Sequence, residues 1–406
     1  MKLLKFISAF LFVCISAFCV VQAKPINSVS KNPEYKISII HGPYVHGISE
    51  TEATVVWVTD KPAISWVEIA PNDGTHFYAK DRPKYYNAPI GRKIIGTFHQ
   101  VKVEGLKPNT VYNYRAFSRR VVEEIPGQRG LTYYGAYVGT RVYKVEPLKF
   151  KTLDSTKKEI SFSVVNDIHQ KSEFLANLLK HTPKNTDFLI LNGDMVHSME
   201  SIEQVFNSYL GVITEFTKNG LPMFMIRGNH EARGLISNDF MKFFPTTTGA
   251  PYFTFRAGPA MFVVIDGGED KPDQGIEYSD RANFDTYREK QAQWLKKVIE
   301  TPEYKNAPVK ILITHIPPVG GGWHGAIHFQ KCFADILNKA GFSLIVSGHY
   351  HKYKFFEASD IIKVPNIVNS AREMMNVKVN EKEITLSFIG EDGKKSRADV
   401  IVPVAK

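Results

Sequence analysis

Five short blocks between residues 166 and 351 of this 406-residue chain place Asp, Asn or His directly after a run of apolar residues. Val164-Val165 leads into Asn166-Asp167-Ile168-His169, and Leu189-Ile190-Leu191 into Asn192-Gly193-Asp194. Met225-Ile226 leads into Arg227-Gly228-Asn229-His230-Glu231. Leu312-Ile313 leads into Thr314-His315, and Ile345-Val346 into Ser347-Gly348-His349-Tyr350-His351. One such block alone is ordinary, because His often closes a loop bond and Asn-Gly-Asp makes a turn. Five in order is a pattern. Imidazole, carboxylate and amide donors without thiolate suit Zn²⁺, Mn²⁺ or Fe rather than Cu(I) or an iron–sulfur cluster. There are more donors than one tetrahedral ion uses, which fits two ions sharing a bridging carboxylate, as in two-metal hydrolases. Glycines beside Asp194, Asn229 and His349 let the backbone turn sharply and keep the ions accessible.

Such donors need a rigid support. The apolar runs read as strands, and amphipathic stretches lie between them, over 172–181, 202–219 and 287–300. In the last, Trp294, Leu295, Val298 and Ile299 recur at helical spacing. Alternating strand and helix predicts a layered α/β domain, with its ligands at the loops following the strands. Gly320-Gly321-Gly322-Trp323-His324-Gly325 reads as a flexible loop; it lacks the Lys-Ser/Thr of a phosphate-binding loop. After Val364 the chain returns to hairpins, with a turn at Glu391-Asp392-Gly393-Lys394.

The stretch 35–152 reads as all-β. Its segments around Val55, Ile64 and Val101 alternate with strand period, and turn residues separate them. Leu106-Lys107-Pro108-Asn109-Thr110-Val111-Tyr112 resembles the tyrosine corner of fibronectin type III sandwiches, with Tyr112 as the corner residue. The Tyr/Gly-rich stretch from Gly127 to Gly139 reads as a strand pair with tyrosines on one face, with a ligand-binding aromatic patch as the alternative. The polar, charged residues 153–158 read as a linker. At the N-terminus a short basic start precedes an uncharged apolar run, 6–21, and Ala23 sits where a signal peptidase would cut. The expected organisation is therefore a leader over 1–23, a β-sandwich over 24–152, a linker over 153–158 and a catalytic domain over 159–406. The leader implies export, periplasmic or secreted, and no other run is long enough to span a bilayer. The protein after cleavage keeps one cysteine, Cys332, so no internal disulfide is expected.

Lys and Arg exceed Asp and Glu by 51 − 41 = 10. A basic surface suits anionic partners. The cations form no dense run, so a solvated surface is expected rather than a nucleic-acid partner.

The block order resembles the calcineurin-like metallophosphoesterase superfamily, over about 160–400. With the β-sandwich ahead, the architecture is most similar to purple acid phosphatases. The resemblance implies a layered β-sandwich flanked by helices, and two divalent metal ions, Zn, Mn or Fe. Carried over by motif, Asp167, His169, Asp194 and His351 would hold the first ion. Asp194, Asn229, His315 and His349 would hold the second. His230 would contact the phosphoryl group or leaving oxygen. His324 would be the general acid, with His328 a weaker alternative. Arg233, just beyond the third block, could hold a phosphate oxygen bidentately. Two positions depart from purple acid phosphatases: the first block is Asp167-Ile168-His169, and His197 stands where a Tyr would be. The implied activity is hydrolysis of small phosphate monoesters by water activated between the ions. A phosphodiesterase or nucleotide hydrolase on the same core is the alternative. A binding protein relying on the fibronectin-like domain is a third reading.

Overall fold

The computed structural model describes residues 33–127 and 130–405; the expected leader over 1–23 lies outside the described residues. Two six-stranded sheets form the C-terminal part. The first runs Met223–Ile226, Phe188–Asn192, Glu159–Val165, Glu373–Asn380, Glu383–Gly390 and Val400–Pro403. The second runs Phe253–Ala257, Ala260–Val264, Val309–Ile313, Leu344–Ser347, Asn366–Val368 and Lys354–Phe356. Within each sheet the strands that end in donor blocks are parallel neighbours. These strands are apolar almost throughout, as strands buried on both faces require.

Alternation within each strand sorts the side chains into layers. Phe162, Phe188, Phe224, Phe255 and Phe262 meet between the sheets, with Phe224 and Phe255 stacked at 3.9 Å. On the outer face of the first sheet, Leu189, Leu191 and Met225 pack with Leu175, Leu178 and Tyr209. On the outer face of the second, Val263, Leu312 and Ile345 pack with Leu295, Phe329 and Phe333. The result is the layered α/β arrangement with helices outside two facing sheets.

The helices differ in detail from expectation. Ser172–Leu179 ends two residues early, and the third helix runs Phe284–Val298. The stretch 202–219 is Ile202–Val205 and Gly211–Thr217, joined by a π turn at Phe206–Leu210. A 17-residue helix, His324–Ala340, begins inside the expected flexible loop. Its buried residues Phe329, Phe333, Ile336, Leu337 and Ala340 follow helical spacing, and Gly341 ends it in the left-handed region at φ 72°. The preceding glycines masked that start.

In the N-terminal part, one long strand, Glu52–Pro71, runs through a single eight-stranded sheet. Its first part pairs with Ile39–His46 and Gly96–Glu104, and its second with Lys84–Tyr86 and Val111–Ile125. The Tyr112 hydroxyl accepts the backbone N–H of Lys107 at 3.0 Å. The Tyr/Gly-rich stretch supplies one strand rather than a strand pair: Leu131–Gly139 pairs antiparallel with Val111–Ile125, which lies before it.

The two halves are tightly joined. Asn219–Gly220 adds a parallel pair to Leu148–Lys151. His46 Nδ1 meets the Pro245 carbonyl at 2.7 Å, and its Nε2 accepts the Met225 N–H at 3.0 Å. Within 153–158, Leu153 is buried and Ser155 bonds the Glu50 carboxylate.

Candidate metal centre

All five donor blocks meet at one end of the two sheets. Asp167, His169, Asp194 and His351 bring one ligand atom each within 4.8 Å of one another. Asp194, His315 and His349 form a second such group. Asp194 belongs to both, as a bridging carboxylate must.

The backbone is bent to achieve this. Ten described residues other than glycine have positive φ. Five of them are in the donor set: Asp167, His169, Asp194, His349 and His351, with φ from 47° to 71°. Each costs of the order of 1–3 kcal/mol, the kind of strain that clusters at functional sites. Two glycines make room. A Cβ on Gly193 would lie 2.5 Å from His315 Nδ1, and one on Gly228 would lie 2.2 Å from Asp194 Oδ1.

Hydrogen bonds orient Asp167, Asp194 and His315 and leave one atom of each facing the cluster. Asp167 Oδ2 accepts from Asn166 Nδ2 at 2.6 Å and from the His349 N–H at 2.9 Å. Its Oδ1 is buried without a hydrogen bond, facing His351 Nε2 at 3.3 Å and His315 Nε2 at 3.9 Å. Asp194 Oδ1 takes the His230 N–H at 2.9 Å, which leaves Oδ2 inward, 3.0 Å from His315 Nε2. His315 Nδ1 donates to the Asn192 carbonyl at 2.6 Å. Its Nε2 lone pair therefore points at a carboxylate. The Asn229 amide lies 3.2 Å from Asp194 Oδ2 and 3.0 Å from both His349 Nδ1 and Arg233 Nη2; with its oxygen inward it is a further ligand, and with its nitrogen inward it donates to Asp194.

These facts test whether cations fit. Carboxylate oxygens and imidazole nitrogens crowded at 3.0 to 3.9 Å repel one another unless positive charge sits among them. Without a metal, that charge is a proton. Burial lowers the affinity of His315 for it, but Asp194 and Asp167 outweigh burial and hold its pKa at about 10. Burial instead pushes His169 and His349 down to about 4, so they present neutral imidazoles. Neutral imidazole and ionised carboxylate are the forms that ligate metal. The residues present fit two divalent cations.

Glu231 is one residue that sequence reasoning missed. It is fully buried. Its Oε2 accepts the N–H groups of Asp194 and Gly228, and its Oε1 those of Met195 and Val196. Burial and the nearby Asp194 push its pKa up to about 7, and the backbone donors oppose them. It ties the second donor loop to the third. Only its place beside Asn229 and His230 hinted at this.

The other expected residues lie around the centre. His230 is half-buried; its Nδ1 donates to the His197 carbonyl at 2.7 Å and its Nε2 lies 3.9 Å from Asp194 Oδ2. His197 is exposed, with its ring stacked on His169 at 5.0 Å, and joins His169 and His230 in a third close group. His324 is not among these groups: its Nε2 is held by Asp285 at 2.8 Å, and it opens a helix rather than sitting in a loop. His328, one turn on, lies 3.4 Å from the same carboxylate. Arg233 differs from expectation. Its Nε and Nη2 are both spent on Glu269 at 2.8 Å, so that edge is not free to grip phosphate. Glu269 and Asp270, the latter 3.7 Å from His349, also carried no recognisable signal in the sequence.

Residues 160–353 match the calcineurin-like phosphoesterase family. The mouse serine/threonine-protein phosphatase CPPED1 (Mus musculus) is 26% identical over 185 residues, covering 43% of this chain and 56% of its own. Purple acid phosphatase 21 of Arabidopsis thaliana is 21% identical over 300 residues, covering 69% of this chain and 60% of its own. The chain thus spans less than two thirds of either relative. Among solved structures, a purple acid phosphatase from yellow lupin (Lupinus luteus) superposes with a TM-score of 0.60 at 13% identity, covering 89% of this chain and 74% of its own.

Proposed function

We propose, for a chain that carries a calcineurin-like phosphoesterase domain, that it hydrolyses small phosphate monoesters, with two divalent cations, Zn²⁺, Mn²⁺ or Fe²⁺, as its cofactor. One observation carries the reading: two groups of converging donors share Asp194. Bound there, such cations would supply Lewis acidity and water acidic enough to attack phosphorus near neutral pH. Asp167, His169, Asp194 and His351 would hold one ion, and Asp194, Asn229, His315 and His349 the other.

The rest of the chemistry belongs to this chain's side chains. Water adds to phosphorus, the ester P–O bond breaks, and the leaving oxygen takes a proton to give alcohol and phosphate. His230 is the better-placed proton donor: the His197 carbonyl fixes its Nδ1–H, so proton exchange falls to Nε2, beside Asp194. His324, its imidazole turned to Asp285, is the second candidate. Arg233 acts indirectly, by holding Glu269.

Export rests on the basic-then-apolar leader. No helix among the described residues is long and apolar enough to cross a membrane. A fibronectin type III-like reading of the N-terminal part is supported by its antiparallel strand pairing and by the Tyr112 hydroxyl on the Lys107 N–H.

The test is metal analysis of the purified protein alongside turnover of 4-nitrophenyl phosphate and bis(4-nitrophenyl) phosphate. Two equivalents of metal and chelator-sensitive turnover of the monoester are expected. Turnover of the diester alone would move the reading to a phosphodiesterase. No metal and no turnover would sink it.

A further inference from the structure

The loop after Met223–Ile226 faces two ways. Its middle, Asn229 and His230, turns to the donor cluster. Its ends, Arg227 on one side and Arg233 and Gly234 on the other, wall a separate cavity of about 360 Å³. The opposite wall includes Arg281, Phe284 and Lys290. The cavity and the donor cluster are therefore separated by a few residues of one loop. Arg233 touches both sides, lining the cavity while its Nη2 lies 3.0 Å from the Asn229 amide.

Four cationic side chains line this cavity against one carboxylate, Glu277. Two of the four are already balanced: Arg227 pairs with Asp266 at 2.7 Å and Arg233 with Glu269 at 2.8 Å. Arg281 and Lys290 are exposed and form no ion pair among the described residues. Free cations beside a cavity with aromatic and amide walls suit an anionic group on an organic frame.

We propose that this cavity is a second phosphate subsite. Arg281 and Lys290 hold a phosphate on the leaving part of the ester while the donor cluster addresses the phosphoryl group to be cleaved. The substrate class is then an organic bisphosphate. This rests on the hydrolase reading above and goes beyond it by naming what the leaving group carries.

The test compares alkyl monophosphates with α,ω-alkanediol bisphosphates of increasing chain length. ω-Carboxyalkyl phosphates serve as the arm that separates phosphate from any anion. The wild type is expected to favour the bisphosphate of best-fitting length in kcat/KM by at least about tenfold, the scale of one charge-assisted contact. Arg281→Ala combined with Lys290→Ala should abolish that preference and leave kcat/KM for the monophosphate unchanged. Both side chains are exposed, so the fold should tolerate their loss. Equal kcat/KM for the two ester types in the wild type, or a preference that survives in the double variant, overturns the proposal. A carboxylate arm as good as the bisphosphate overturns the assignment to phosphate. Metal-dependent monophosphate turnover without any preference sinks the subsite alone. If no ester is turned over, calorimetric binding of the bisphosphate to wild type and double variant still decides: equal affinity counts against the subsite.

Discussion

The carboxylate of Glu231 accepts the backbone N–H of Asp194 at 2.8 Å, and its same oxygen takes the N–H of Gly228 at 2.9 Å. One buried side chain thereby holds the bridging carboxylate's loop against the loop that carries Asn229. Glu231→Gln would turn an NH₂ toward backbone donors at one of the two positions. We expect a loss of about 1–3 kcal/mol, the cost of leaving buried donors unmet, together with reduced metal retention. Thermal melting and metal content after dialysis read both; an unchanged melting point with full metal content would mean that Glu231 positions nothing.

Asp194→Asn and Asn229→Ala should lower turnover by several orders of magnitude while circular dichroism stays that of the wild type. Removing charge from the shared donor weakens both cation positions together, so metal content should fall by more than one equivalent in the Asp194 variant. Turnover near that of the wild type at measured metal content would dismantle the two-cation assignment.

Acid should loosen the joint between the two halves. His46 is fully buried, with both ring nitrogens engaged in the neutral form, and burial lowers its pKa from 6.5 to about 4. A depressed His pKa means that only the unfolded chain takes up the proton between pH 6.5 and 4. The contribution is therefore present above pH 6.5 and is lost as pH falls toward 4. From about pH 7.5 to about pH 5 this one group removes roughly 2 kcal/mol. His99, buried between Thr59 and Ser65, shifts in the same direction to about 4. Denaturant unfolding at the two pH values should show the loss, and His46→Gln should reduce the difference while keeping the share of His99. An identical pH dependence in that variant would contradict the assignment.

Iron-loaded protein should be colourless or faintly yellow. A purple colour requires Tyr phenolate on Fe(III), and the position three residues after Asp194 is His197 rather than Tyr. His197 stacks on His169 in that place, and a neutral imidazole brings one negative charge fewer, which favours divalent ions. A visible spectrum with a strong phenolate-to-iron band would show that a Tyr reaches the metal and that the donor set is misassigned.

The chemistry of this protein was written in residue type and in order along the chain. Asp167, Asp194, Asn229, His315 and His349 each follow an apolar run. A strand end is a local feature, so the sequence could announce that these donors share one edge of two sheets. The central strands were legible because burial on both faces leaves them almost wholly apolar. The helix His324–Ala340 was not, because Gly320-Gly321-Gly322 reads as a breaker and tertiary packing of Phe329 and Phe333 overrides it. What Arg233, Glu231 and His324 do was beyond the sequence for one physical reason. A charged side chain's role is set by its nearest partner in space. Those partners are Glu269 36 residues away, backbone N–H groups 35 to 37 residues away, and Asp285 39 residues away. Only folding brings them within hydrogen-bonding distance.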